Sequence, residues 1–199
     1  MKYAEALELA TEFVEWLRDC CLRIEIVGSV KRGDKDEVHD IEVLLIADPA
    51  APRPEFGQKV VYKNRLEQRL AQLVQEGVLR EARKKANGDK LKRFAIVEHS
   101  TGEDFCIELF IVRPDTWGIQ NVIRTGPGEF SQLFVTNKSS RGLLPDKYQY
   151  VRGETIILDR SSGAPIPLPE EEDAIALLGF GWVAPADRKK YINHWGVRA

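Results

Sequence analysis

Cysteine is scarce in this chain and spaced for neither of its structural uses. The 199 residues include three, with Cys20 and Cys21 adjacent and Cys106 inside an apolar run. That pattern builds no disulfide framework and no zinc-ligand spacing, so a reducing, cytoplasmic setting is expected. An excess of one charge is missing as well: 29 Lys and Arg stand against 31 Asp and Glu, a net charge of −2. Bulk charge therefore does not point to a polyanionic partner, and any nucleic-acid contact has to be local. No stretch reaches the roughly 18 consecutive apolar residues of a membrane helix. The opening run MKYAEALELATEFVEWL carries an acid every few residues, unlike a signal peptide. No membrane partner, no internal repeat and no low-complexity tail is expected, and the chain reads as a monomer.

What is present is enough apolar residue, 43% of the chain, for one globular unit or two closely packed ones. Leu7, Ala10, Phe13, Val14, Leu17 and Cys21 recur at helical spacing, predicting an amphipathic helix over Tyr3 to Leu22. Strand RIEIV, a Gly28-Ser29 turn, a polar loop and strand DIEVLLI follow. A second helix is predicted from about Lys59 to Gln75, stopping at Gly77. Strand-like VLREARK and KLKRFAIVEH meet at Asn87-Gly88, a hairpin signal, before DFCIELFIV. This α-β-β-α-β-β-β order predicts an α+β fold, a small mixed sheet backed by helices. Beyond Pro114, WGIQNVI and EFSQLFVT read as helices, KYQYVRGETIILD as a hairpin, and PEEEDAIALLGFG as a capped helix. The predicted domains are 1–115 and a smaller α+β lobe over 116–199.

Side chains alternate along a strand, so Asp40 and Glu42 share one face while Ile41, Val43 and Leu45 share the other. Two carboxylates so placed repel each other and lose hydration unless a cation joins them. A divalent metal is the natural partner: magnesium takes a few carboxylates together with water and substrate phosphates, and two-metal sites commonly add a third acid. DFCIELFIV offers Asp104 and Glu108 on one face; Glu108 is the stronger candidate because an unpaired acid mid-strand is costly, whereas Asp104 at the strand mouth is expected to face water. Gly28-Ser29 lets backbone and hydroxyl approach a phosphate, and Lys31 and Arg32 add positive charge. The set ARKKANGDKLKR, with Lys90, Lys92 and Arg93, is the best candidate for DNA contact. His39 reads as a surface residue, Phe13 and Trp16 as core, Cys20-Cys21 as buried helix face, and Trp117, Trp182 and Trp195 as packing or stacking groups.

On these residues the chain resembles the family X DNA polymerases, typified by DNA polymerase beta. GSVKRG followed by HDIEVLLI is similar to that family's Gly-Ser-x-Arg-Arg-Gly and Asp-x-Asp signature. RTGPGEFSQLF is similar to its Thr-Gly segment and nucleotide-facing helix, with Thr125 seventeen residues after Glu108. RGLLPDKYQY and PLPEEEDAIALLGFGWVAPADR resemble its closing segments, so the resemblance runs to Arg188. It implies a catalytic palm over 1–115 and a nucleotide-selection lobe over 116–199. It also implies Asp40, Glu42 and Glu108 as catalytic metal ligands, with Mg2+ as cofactor. Ser29 and Arg32, framed by Gly28 and Gly33, would hold the β- and γ-phosphates; Thr125 and Gly126 would lie along the sugar, and Ser131 beside the base.

Several positions depart from the family pattern. Two of the expected aspartates are Glu42 and Glu108, whose extra methylene moves each carboxylate by roughly 1.5 Å, enough to matter in a metal site and to favour Mn2+. Cys106 stands where the family carries an arginine that pairs with the third acid. Ile123 and Arg124 replace a pair of aromatics. The chain starts at the palm, without the lyase and helix-hairpin-helix segments that grip DNA, so weak, salt-sensitive binding of gapped or primer-template DNA is expected, with an accessory DNA-binding protein as a partner. The implied activity is addition of deoxynucleoside monophosphates from a dNTP to a primer 3′-hydroxyl by two-metal-ion catalysis, in DNA repair or gap filling. The alternatives are nucleotidyl transfer to a small-molecule hydroxyl and a non-catalytic module binding DNA ends or a partner.

Overall fold

The computed structural model describes residues 1–50, 62–99, 104–179 and 181–194. Helix α1, Tyr3–Leu17, buries Ala6, Leu9, Ala10, Phe13, Val14 and Leu17 along one stripe, each of the larger side chains contributing about 1.5–3 kcal/mol. It ends sooner than its spacing predicts. The chain tightens into a 3-10 turn at Arg18–Cys20 and then extends as strand β1, Cys21–Val27. Cys21 lies at helical distance from Leu17, but sheet pairing overrides a local preference, so only Cys20 of the pair stays off the strand. Of the helix expected over Lys59 to Gln75, the described residues hold α3, Arg65–Gln75. Asn64 caps it by accepting a hydrogen bond from the Glu67 N–H at 3.0 Å. The start of that expected helix, 59–61, and Trp195 lie outside the described residues.

The first unit comprises 1–26 and 35–112. Its strands β1, β2 (Asp40–Ala47), β3 (Leu79–Glu81), β4 (Leu91–Ile96) and β5 (Cys106–Ile111) form one sheet in the order β1-β2-β5-β4-β3. β2 and β5 run parallel, while β3–β4 and β4–β5 are antiparallel. The fold is α+β as predicted, with the sheet backed by helices. The segment leading into β2 is zipped to the N-terminus, Tyr3 N–H donating to the Asp36 carbonyl at 2.9 Å and Val38 N–H to the Met1 carbonyl at 2.8 Å.

The second unit takes 113–199 and also 27–34, a segment the predicted boundary assigned to the palm. It contains α2 (Gly28–Arg32), α4 (Trp117–Thr125), α5 (Gly128–Val135), α6 (Glu171–Ala176), α7 (Arg188–His194) and an antiparallel sheet β6 (Tyr148–Val151), β7 (Ile156–Asp159), β8 (Pro165–Ile166). Its core gathers Ile119, Val122, Phe130, Phe134, Leu144 and Ile175, with Trp117 wholly buried. Among the described residues no helix is long and apolar enough to cross a membrane.

Candidate functional site

In the first unit the alternation predicted for β2 is present: Asp40 and Glu42 are half-buried while Ile41 and Val43 are fully buried. β5 repeats it, with Cys106 and Glu108 half-buried and Ile107 and Leu109 buried. The parallel register sets Glu42 opposite Glu108 and Asp40 opposite Cys106, so the three predicted acids occupy adjacent strands on one face. Burial pushes the Asp40 carboxyl above the usual carboxylate range, and the charge of Glu108 adds to this against the opposing pull of His39, Lys35 and Arg93. Loss of hydration is the main cause, and the Glu108 charge is secondary to it.

On the other side of Glu108 the antiparallel register brings Arg93 of β4 directly opposite. Its Nε donates to Glu108 Oε1 at 2.7 Å and its Nη2 donates to the same oxygen, while Nη1 donates to the Lys84 carbonyl at 3.3 Å. Glu108 Oε2 is left outside that pair. The partner of Glu108 is thus an arginine of the neighbouring strand, where the resemblance implies one two residues earlier in the chain. A cavity of about 410 Å³ opens over this face, lined by His39, Asp40, Arg83, Lys84, Arg93, Asp104, Cys106 and Glu108.

Two expectations for this region change. Asp104 does not face water: its side chain is 8% exposed and held by Arg80 at 2.7 Å and by the Arg83 backbone N–H at 2.7 Å. Those bonds keep its carboxyl below the ordinary range. Of the three DNA-contact candidates, Lys92 is buried, donating to Asn87 at 3.1 Å and Glu67 at 3.5 Å, and Arg93 is committed to Glu108. Lys90 is exposed, as are Arg83, Lys84 and Lys85, with Lys85 paired to Glu81 at 2.7 Å and Arg83 to Asp104 at 3.5 Å.

For a divalent metal the chemistry of the donors is apt, hard carboxylate oxygens on one face. Among the described residues no group of three or more His, Cys, Asp or Glu closes around an ion position. The three predicted ligands, Asp40 and Glu42 on β2 and Glu108 on β5, share one face without closing into a ligand group.

The predicted phosphate turn belongs to the second unit and is a short helix. Gly28, at φ 69, opens α2, and Gly33, at φ 63, ends it. Arg32 is 9% exposed along its side chain. Its Nε donates to Asp34 Oδ1 at 3.1 Å and its Nη1 to the Thr125 carbonyl at 2.5 Å. The Ser29 side chain makes no hydrogen bond among the described residues. Lys31, expected to add charge for phosphate, instead donates to Asn121 Oδ1 at 2.8 Å and Glu171 Oε2 at 2.9 Å. The other oxygen of Glu171 accepts from Arg188 Nη2 at 2.6 Å, and Asp34 Oδ2 lies 2.7 Å from Lys189 Nζ. Two acids, Asp34 and Glu171, are therefore each clamped between a cation of α2 or its end and a cation of α7.

Thr125 is fully buried, its hydroxyl donating to Asn121 Oδ1 at 3.1 Å, so its contribution to the site is the carbonyl that fixes Arg32. Gly126 follows at φ 70, where a Cβ would stand 3.3 Å from Arg32 Nη1; glycine alone combines that backbone with that approach. The Ser131 hydroxyl is turned inward, donating between the carbonyls of Ile123 at 2.9 Å and Pro127 at 3.2 Å. Asp34, Asn121, Glu171 and Lys189 are participants that sequence reasoning missed. Only Asp34, two residues beyond Arg32, carries a local signal. No family model matches this chain, and no curated protein matches it.

Proposed function

We propose that the chain is a nucleotidyltransferase that adds deoxynucleoside monophosphates to a DNA primer 3′-hydroxyl, the reaction of the family X DNA polymerases it resembles. The hydroxyl oxygen bonds to the α-phosphorus, the bond to the bridging oxygen breaks, and pyrophosphate leaves. A divalent cation, when bound, supplies Lewis-acid stabilisation of the attacking and departing oxygens. Asp40 and Glu42 hold that cation, Glu108 contributes a ligand and helps accept the hydroxyl proton, and Arg93 fixes the Glu108 carboxylate. Arg32 and Ser29 take the β- and γ-phosphates.

One observation carries the reading: three acids share one face of two neighbouring parallel strands, with burial and Glu108 holding the Asp40 carboxyl above its ordinary range. The test is extension of a labelled primer on gapped, nicked, recessed and single-stranded DNA with each dNTP and with Mg2+ or Mn2+. Extension that Asp40→Ala eliminates supports the reading; equal extension by that variant sinks it.

A second reading, transfer to a small-molecule hydroxyl, is favoured by the internal commitment of Lys92 and Arg93, which removes two cations from DNA contact. Nucleotide consumption with hydroxylated small molecules, and none with any DNA, distinguishes it.

A further inference from the structure

We infer that Asp34 is a positioning residue that aims the Arg32 guanidinium at the phosphates of a bound polyphosphate, its second oxygen anchored by Lys189. The inference rests on the nucleotide reading above and adds residues that neither the acid face nor the Gly-Ser turn contains.

Arg32 has two of its three guanidinium nitrogens fixed, Nε by Asp34 and Nη1 by the Thr125 carbonyl. Nη2 has no partner among the described residues. A planar guanidinium held at two corners has its remaining edge set in direction before a ligand arrives, which lowers the ordering cost of binding. Asp34 spends one oxygen on Arg32 at 3.1 Å and the other on Lys189 at 2.7 Å, its side chain 11% exposed. Lys189 is 55% exposed, so it packs little and serves through its charge. The group sums to one net positive charge, two cations and one acid.

An acid beside an anion site is at first sight unhelpful, and this makes the idea testable by sign. If Asp34 only balanced charge, removing it would leave the site more positive and tighten anion binding. If it aims Arg32, removing it weakens binding even though the site becomes more positive.

The experiment is calorimetric titration of the full chain with inorganic tripolyphosphate in the presence of chelator, alongside nucleotide kinetics. Arg32→Ala reports on the underlying reading: wild type that binds no tripolyphosphate, or binds it no better than Arg32→Ala, overturns both. With that binding present, Asp34→Ala is expected to weaken it about fivefold to tenfold, an aimed charge-assisted bond being lost. It should raise the nucleotide KM with kcat nearly unchanged. Asp34→Asn, which keeps an acceptor oxygen but no charge, should recover most of the loss. Equal or tighter binding by Asp34→Ala overturns the inference while leaving the nucleotide reading intact. Should Asp34→Ala not fold, Asp34→Glu keeps the charge and displaces the carboxylate by one methylene; weakened binding supports the aim, and unchanged affinity refutes it.

Discussion

Arg93 and Glu108 are direct cross-strand neighbours on β4 and β5, and two nitrogens of the arginine converge on a single oxygen of the glutamate. The pair leaves Oε2 outside it. Arg93→Ala is expected to free Glu108 to rotate and to reduce transfer about 100-fold, the scale set by a 1 Å misplacement in an active site. Arg93→Lys should restore charge without the fork and recover little. Full restoration by lysine in a primer-extension assay would show that Arg93 acts by charge alone.

Arg32→Ala and Asp40→Ala should fail differently. Losing Arg32 would remove the phosphate contact proposed for it and should raise the nucleotide KM about tenfold or more. Losing Asp40 should abolish transfer while leaving tripolyphosphate binding in place. Loss of both binding and turnover in the Asp40 variant, with its melting temperature intact, would contradict this division of labour.

Glu171 sits between Lys31 and the fully buried Arg188, whose guanidinium also lies 5.5 Å from the Phe130 ring. Glu171→Ala strands that guanidinium without a counter-charge and should cost about 3–5 kcal/mol in urea unfolding. Adding Arg188→Met should recover much of the loss, because the buried charge is then gone. A double variant no more stable than the single one would place the cost in packing.

Gly118 of α4 donates its N–H to the Leu168 carbonyl at 2.8 Å, and a Cβ there would stand 1.9 Å from the Glu170 carbonyl oxygen. Gly118→Ala must push α4 and the start of α6 apart, at about 1–3 kcal/mol. An alanine variant as stable as wild type would argue against this contact.

Asp104, bonded to Arg80 and to the Arg83 backbone N–H, has its folded-state carboxyl pulled below its unfolded value. The stability it contributes is therefore complete above the unfolded value and is lost as pH falls through the folded one. Asp104→Asn should be less stable than wild type at pH 7, with the two curves converging as pH falls through the lowered folded-state value of Asp104. Curves that stay parallel across the acid limb would remove Asp104 from it.

Local pattern set the elements and the parity of the acids, because alternation in a strand and spacing in a helix are written in consecutive residues. Asp40 and Glu42 could be assigned to one face of their strand, and Asp104 and Glu108 to one face of theirs, before any fold was known; the register of β2 on β5 put the two sets on the same face. The hairpin could be assigned likewise, from Asn87-Gly88, as could the helix that stops at Gly77. Boundaries were less legible where two local patterns overlapped. Cys21 satisfies the helix stripe and the strand at once, and only pairing in the sheet decides between them.

Partners were another matter, since an ion pair between residues far apart in the chain leaves no mark in either neighbourhood. The register of β4 against β5 turned Arg93 from a DNA-contact candidate into the counter-charge of Glu108, and buried Lys92 where its neighbours suggested a solvated hairpin. Tertiary packing gave Lys31 to Asn121 and Glu171 and Arg32 to the Thr125 carbonyl. The sequence by itself determined which residue types lie on which face of each element. Tertiary structure alone decided which charges neutralise one another and which keep an edge toward a ligand, because Coulomb and hydrogen-bond energies depend on distances in space that the linear order does not contain.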